Sequence, residues 1–145
     1  MSLEENKAVI RSLIEVENKK DLALLDDLMA PDFVDHDLQL RSLESYKQFD
    51  AKFFTGFPDC HEIIEDIIAE GDKVWARVKV TGTHKGEFEF GPIRLAPTGK
   101  KITWKSVSIY HIVDGKVVER ETVRDLLDMG LQLGFIEIKG FPASK

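Results

Sequence analysis

From His61 onward the apolar residues recur at every second position, which restricts the chain to folds that end in a run of β-strands. His61 to Ala69 gives a first strand, and Glu70-Gly71-Asp72 gives its turn. Lys73 to His84 gives a second, with Val74, Ala76, Val78 and Val80 on one face and Trp75, Arg77, Lys79 and Thr81 on the other. Lys101 to Val113 is a third and Val117 to Asp125 a fourth, joined by the hairpin dipeptide Asp114-Gly115. Between the second and third lies a looser segment, Lys85 to Lys100, rich in glycine and proline.

Before His61 the period is helical. Ser2 and Glu5 form a capping box ahead of a stripe made by Val9, Leu13 and Val16 with Ile10 and Ile14. A short second helix is expected over Asp21 to Met29, stopped by Pro31. A third starts at Ser42, with Leu43, Tyr46, Phe49 and Phe53 inward, and stops at Gly56 and Pro58. A closing helical turn is expected over Leu126 to Leu133. Helices first and a meandering antiparallel sheet afterwards define an α+β fold. With no repeat or linker, residues 1–145 are expected to form a single domain.

A two-residue hairpin loop sets the register of the last two strands. If the strands run unbroken, Tyr110 lies opposite Glu119, Ser108 opposite Glu121, Ser106 opposite Val123 and Trp104 opposite Asp125. Trp104, Ser106, Ser108, Tyr110, Glu119, Glu121 and Asp125 then share one face. Its mixture of aromatics, hydroxyls and acids suits a half-polar cavity lining. In that register Glu121 would bias the cavity toward ligands with a hydrogen-bond donor and against carboxylates. A bulge reverses the assignment. The opposite face would carry Val107, Ile109 and Val118 among basic residues, which together with Trp75 suits the interface of a homodimer.

Composition removes several function classes. The net charge of −6 and the absence of a basic run argue against nucleic acid and against anionic membrane surfaces. No apolar run reaches membrane-spanning length, and charged residues fill the first twenty positions, so the expected location is cytoplasmic. The one cysteine, Cys60, excludes an internal disulfide. The four histidines lack ligand spacing, so no metal site is expected. His84 stands at a strand end as a loop anchor first and a pocket residue second. Asp125 stands where a strand becomes a helix, an N-cap position as well as a possible proton carrier.

Six motifs in order resemble the SnoaL-like polyketide cyclase family: FPD at Phe57–Asp59, AEGD at Ala69–Asp72, GTHKGEF at Gly82–Phe88, PTGK at Pro97–Lys100, DGKVVE at Asp114–Glu119, and QLG at Gln132–Gly134. The resemblance implies a cone-shaped, nuclear-transport-factor-2-like fold in which three N-terminal helices close a curved antiparallel sheet around a pocket. It implies a cofactor-independent cyclase, isomerase or lyase working by acid-base chemistry on a small apolar carbonyl compound, an aromatic polyketide among the candidates. Asp125 is then the acid/base and His36 a histidine of the pocket, with His36 or Tyr110 serving the enolate oxygen. The family's His-Trp pair is replaced here by Arg120-Glu121. A non-catalytic pocket protein of the same fold is the alternative.

Overall fold

The structure, a computed structural model, describes residues 1–140. Helix α1 (Leu3–Lys19) begins as expected: Ser2 Oγ accepts from the Glu5 amide at 3.0 Å, and the Glu5 carboxylate accepts from the Ser2 amide at 3.1 Å. Its buried face is Ile10, Leu13 and Ile14, continued by Glu17. A 3-10 helix (Leu22–Asp27) follows, shorter than the expected second helix. Met29 already belongs to a strand, β1 (Met29–Asp35), that the sequence pattern does not announce. Pro31 is tolerated there because β1 is an edge strand, where a missing N–H costs no ladder bond.

Helix α2 (Leu43–Gly56) is capped reciprocally by Ser42 and Ser45 and buries Leu43, Tyr46 and Asp50. Strands β2 (His61–Glu70) and β3 (Lys73–Thr83) follow, then β6 (Lys101–Val113) and β7 (Lys116–Arg124). Between them the segment expected to be loose folds into a small hairpin of β4 (Phe88–Phe90) and β5 (Ile93–Leu95). Helix α3 (Leu126–Leu133) closes the described chain. Its Gln132 pairs with Thr103 of β6 like an extra strand residue, accepting from the Thr103 amide at 3.1 Å and donating to the Thr103 carbonyl at 2.6 Å.

The main sheet has the order β1-β7-β6-β3-β2, antiparallel except for the parallel pair of β1 and β7. Helices α1 and α2 lie over its concave face, and Val74, Ala76, Val78, Ile102, Tyr110, Ile112 and Val117 face them from within. No helix among the described residues is long and apolar enough to cross a membrane.

The hairpin tip follows expectation and the rest of β7 does not. Asp114 and Gly115 both have positive φ, +50° and +77°, as the two-residue turn requires. Val113 pairs with Lys116 and Ile112 with Val117. His111 then pairs with Glu119, leaving Val118 unmatched as a β-bulge. Beyond it Tyr110 faces Arg120, Ser108 faces Thr122 and Ser106 faces Arg124. The expected inward row of acids is therefore wrong. Arg120, Thr122 and Arg124 point inward, and Glu119 and Glu121 point out. The physical reason is desolvation: two unpaired carboxylates inside would be costly, whereas outside Glu119 meets His36 at 2.7 Å and His111 at 3.0 Å.

The β4–β5 hairpin is reached through a close backbone crossing. The amides of Lys85 and Gly86 both donate to the Gly56 carbonyl, at 2.9 and 3.1 Å. A Cβ on Gly86 would lie 2.2 Å from the Thr55 carbonyl oxygen. Gly86→Ala is expected to destabilise the fold by about 1–3 kcal/mol as an overpacked contact, read as a lower urea midpoint. An unchanged midpoint would show that the crossing relaxes freely.

Candidate functional site

The concave face and the helices enclose a cavity of about 90 Å³. Its apolar wall is Phe49, Phe53, Phe88, Phe90, Trp104, Val78 and Val80, and its mouth lies at the β4–β5 hairpin and the start of α3. Phe53 stacks on Trp104 with centroids 5.8 Å apart, and Phe49 meets Phe90 edge-on at 6.5 Å. Ser106, Ser108 and Tyr110 come from β6, and Arg120, Thr122 and Arg124 from β7. Glu17, Tyr46, Asp50 and Glu62 enter from α1, α2 and β2.

A directional chain of hydrogen bonds crosses this cavity. Arg120 donates through Nε to Asp35 Oδ2 at 2.8 Å and again through Nη2 to the same carboxylate. Its Nη1 donates to Tyr46 Oη at 3.1 Å. A guanidinium only donates, so Tyr46 accepts there and gives its single proton to Glu17 Oε2, 2.9 Å away. Asp50 neighbours Glu17 on the other side. Its Oδ2 is buried with no hydrogen-bond partner among the described residues. Glu62 is aimed by Asn18, whose side-chain amide brackets the Glu62 backbone at 2.8 and 3.0 Å.

The electrostatics follow from this crowding. Burial pushes the Asp50 carboxyl well above the usual carboxylate range, and the neighbouring Glu17 carboxyl pushes the same way. Glu62 is raised by burial first and by Glu17 second. Burial works against the charge of Arg120, but Tyr46 and Asp35 outweigh it and hold its pKa above the ordinary value. Burial lifts the Tyr110 phenol to about 12, so it remains a donor at neutral pH. The Cys60 thiol, buried away from the cavity lining, is pushed to about 11 and is not a thiolate.

Of the residues singled out from the sequence, Trp104, Ser106, Ser108 and Tyr110 lie on the cavity wall. Glu121 does not: the bulge at Val118 turns it to an exposed outer groove beside Trp75 and His111. Asp125 is exposed at the N-terminus of α3, where its Oδ1 accepts from the Asp128 amide at 3.0 Å. His36 pairs with Glu119 on the outside. His84 is fully buried but off the cavity lining. It stacks on Phe57 at 5.3 Å, and its backbone and ring tie down residues 98–100.

The buried polar residues missed from the sequence carried a signal. Glu17 continues the stripe of Ile10, Leu13 and Ile14, and Asp50 lies four residues after Tyr46 on the inward face of α2. A carboxylate on an apolar helical stripe marks either a pairing partner or a site.

A carboxyl with a raised folded pKa binds protons more readily in the native state. Its contribution to stability therefore falls as pH rises from the ordinary carboxylate range, about pH 4, toward that raised value. Asp50→Asn, which stays neutral, is expected to melt higher than wild type at neutral pH and to flatten the decline from pH 5 upward. Parallel melting profiles for the two proteins would contradict the raised pKa.

Residues 7–133 match the SnoaL-like polyketide cyclase family. Among solved structures, AclR of Streptomyces galilaeus, a candidate hydroxylase, is 31% identical with a TM-score of 0.79, the match covering 96% of this chain and 87% of that one. IdmH of Streptomyces antibioticus, a candidate polyketide cyclase, is 30% identical with a TM-score of 0.76, covering 89% of this chain and 98% of that one. TsrD of Streptomyces laurentii has a TM-score of 0.84 at 21% identity, over 94% of this chain and 99% of that one, and speaks to the fold alone. No curated protein matches the chain. The curved sheet with its helical cover is the nuclear-transport-factor-2-like fold of these relatives, and the chain belongs to the SnoaL-like polyketide cyclase family.

Proposed function

We propose that this protein is a cofactor-independent cyclase, isomerase or lyase that moves a proton within a small apolar carbonyl compound, with Asp50 as the proton carrier. The observation that carries the reading is Asp50 on the cavity wall, its buried Oδ2 without a partner among the described residues and beside a second carboxyl. In its ionised form Asp50 takes a proton from the carbon next to the carbonyl, and a raised pKa makes it a stronger base for that step. The electron pair moves onto the carbonyl oxygen as an enolate. Arg120 and Tyr110, both on the wall, supply positive charge and a phenol proton to that oxygen. Collapse of the enolate onto a second carbonyl closes a ring, protonation at another carbon isomerises, and expulsion of a leaving group eliminates. Asp50 returns its proton to the product in each case.

The roles assigned from the sequence to Asp125 and His36 pass in this reading to Asp50 and to Arg120 with Tyr110, because the first two lie outside the cavity. A non-catalytic pocket protein is the second reading. It is favoured by β7, which brings Thr122 and no carboxylate to the lining.

Phenylacetone in heavy water separates the two. Wild type is expected to speed deuterium entry at the benzylic carbon, followed by proton NMR, and Asp50→Asn to slow it by about 10²–10⁴-fold with the dissociation constant within a few-fold. Exchange at the wild-type rate in Asp50→Asn would sink the assignment. Binding of phenylacetone without any exchange in wild type would support the pocket protein.

The same reading includes a homodimer formed through the outer face of the sheet. Trp75 pairs with Ile109 and Val107 with Val123 there, and Trp75 and Val123 are 45% and 76% exposed. Light scattering at micromolar concentration is expected to give twice the chain mass, and Trp75→Glu half of that. A wild-type monomer under those conditions would exclude the dimer.

A further inference from the structure

We infer that the ligand is a flat or aromatic carboxylic acid and that Arg124 receives its carboxylate at the mouth of the cavity. Arg124 lies on the inner face of β7 opposite Ser106, with its guanidinium 5.8 Å above the Phe90 ring. Among the described residues it makes no hydrogen bond and no ion pair, in contrast to Arg120, whose charge is met by Asp35. The nearest acids are otherwise engaged. Asp37 accepts from the Thr122 amide, Glu119 and Glu121 face outward, and Glu17 accepts from Tyr46. Glu62, the carboxyl on the facing wall, is held toward its neutral form by burial and by Glu17, although Arg124 draws it partway back.

A guanidinium on a half-closed wall without a counter-charge is costly, and a carboxylate matches its planar fork in shape and sign. Burial pushes the pKa of Arg124 down and Arg120 on the same strand adds to that, with Asp35 and Asp37 offsetting only part of it. Four residues of strand separate Arg120 from Arg124, about 13 Å. The floor between them is the Ser108 and Thr122 hydroxyl pair, 2.8 Å apart. Phe53 and Trp104 make the side wall. The arrangement suits a ring a few atoms long with an oxyanion at the outer end and a polar group at the inner end. This is the reverse of the preference that an inward Glu121 would have imposed.

The carbonyl at the inner end rests on the proposed function; the carboxylate at the outer end does not. The test uses 4-(2-oxopropyl)benzoate, which is phenylacetone with a para carboxylate, and its methyl ester, both titrated by calorimetry. Wild type is expected to bind the acid about 10-fold or more tightly than the ester, the gain of one charge-assisted pair. Arg124→Gln should remove that preference, leaving acid and ester with equal affinities, and Arg124→Lys should keep part of it. Circular dichroism confirms that each variant is folded. Equal affinities in wild type, a preference that persists in Arg124→Gln, or no binding of either probe would each overturn the inference. Acid preference without deuterium exchange in wild type would retain the carboxylate site and remove the catalytic reading. Exchange that depends on Asp50 without acid preference would do the opposite.

Discussion

Val117 and Arg120 must both face the interior, and they are three residues apart on one strand. Side chains on an unbroken strand alternate, so positions separated by an odd number point opposite ways. The bulge at Val118 reconciles the two demands by inserting one unpaired residue. Much of the fold hangs on the result. Arg120 holds Asp35 and so pins the edge strand β1 beside β7, where the backbone pairing alone is irregular. Through Tyr46 it reaches α2, and through Glu17 it reaches α1. Breaking such a buried pair from one side typically costs about 3–5 kcal/mol, because the surviving charge has no water to turn to. The network is therefore a structural clasp before it is anything else.

Much of this was legible in the sequence, and the failures share a cause. The Ser2–Glu5 capping box, the limits of β6 and α3, and the alternation of β3 are local signals, and each is where the residues put it. β6 pairs with β3 without a slip, so the wall positions of Trp104, Ser106, Ser108 and Tyr110 follow from alternation alone. The Asp114-Gly115 turn dictates only the first two pairs of the hairpin. Beyond them the register answers to which side chains can be desolvated, and that is decided by partners on other elements. Glu119 has His36 and His111 outside; Arg120 has Asp35 inside. The His36 and Asp35 partnerships span 83 and 85 residues of chain, so neither is local. The missed β1 and the β4–β5 hairpin are alike in this respect. Pro31 and three-residue strands carry no pattern of their own, and it is the β7 edge and the aromatic ring of Phe53, Phe57 and Phe88 that stabilise them.

The acids of the interior illustrate why a site can be visible as a flaw. Glu17 and Asp50 occupy positions where an apolar residue would pack without desolvation cost, and burial raises Asp50 far from its ordinary pKa. Tyr46 satisfies Glu17, but nothing among the described residues satisfies Asp50 Oδ2. A purely structural cluster would close that gap, since an orphaned buried acceptor costs about 1–3 kcal/mol. The gap instead lies beside a cavity whose wall Asp50 shares with aromatic rings. Locally unfavourable groups that persist around a cavity are what binding and acid-base work both require.

One inserted residue also settles the outer surface. With Glu119 outside, His36, Glu119, His111 and Asp72 form a continuous chain of contacts between 2.6 and 3.0 Å along the groove. The hydrogen bond from His111, followed by that from His36, holds the Glu119 carboxyl below its usual range, and Glu119 in turn raises His111. These groups are partly solvated, so each pair alone contributes little. Their effect is on choice: they make the outward register of the acids comfortable at the same time as Asp35 makes the inward register of Arg120 necessary. Slipping the strand back by one would strand Glu119 and Glu121 inside and Arg120 and Arg124 outside, losing both sets of partners together. Register is thus fixed from two faces at once, and the charge that β7 presents to the cavity is positive as a direct consequence.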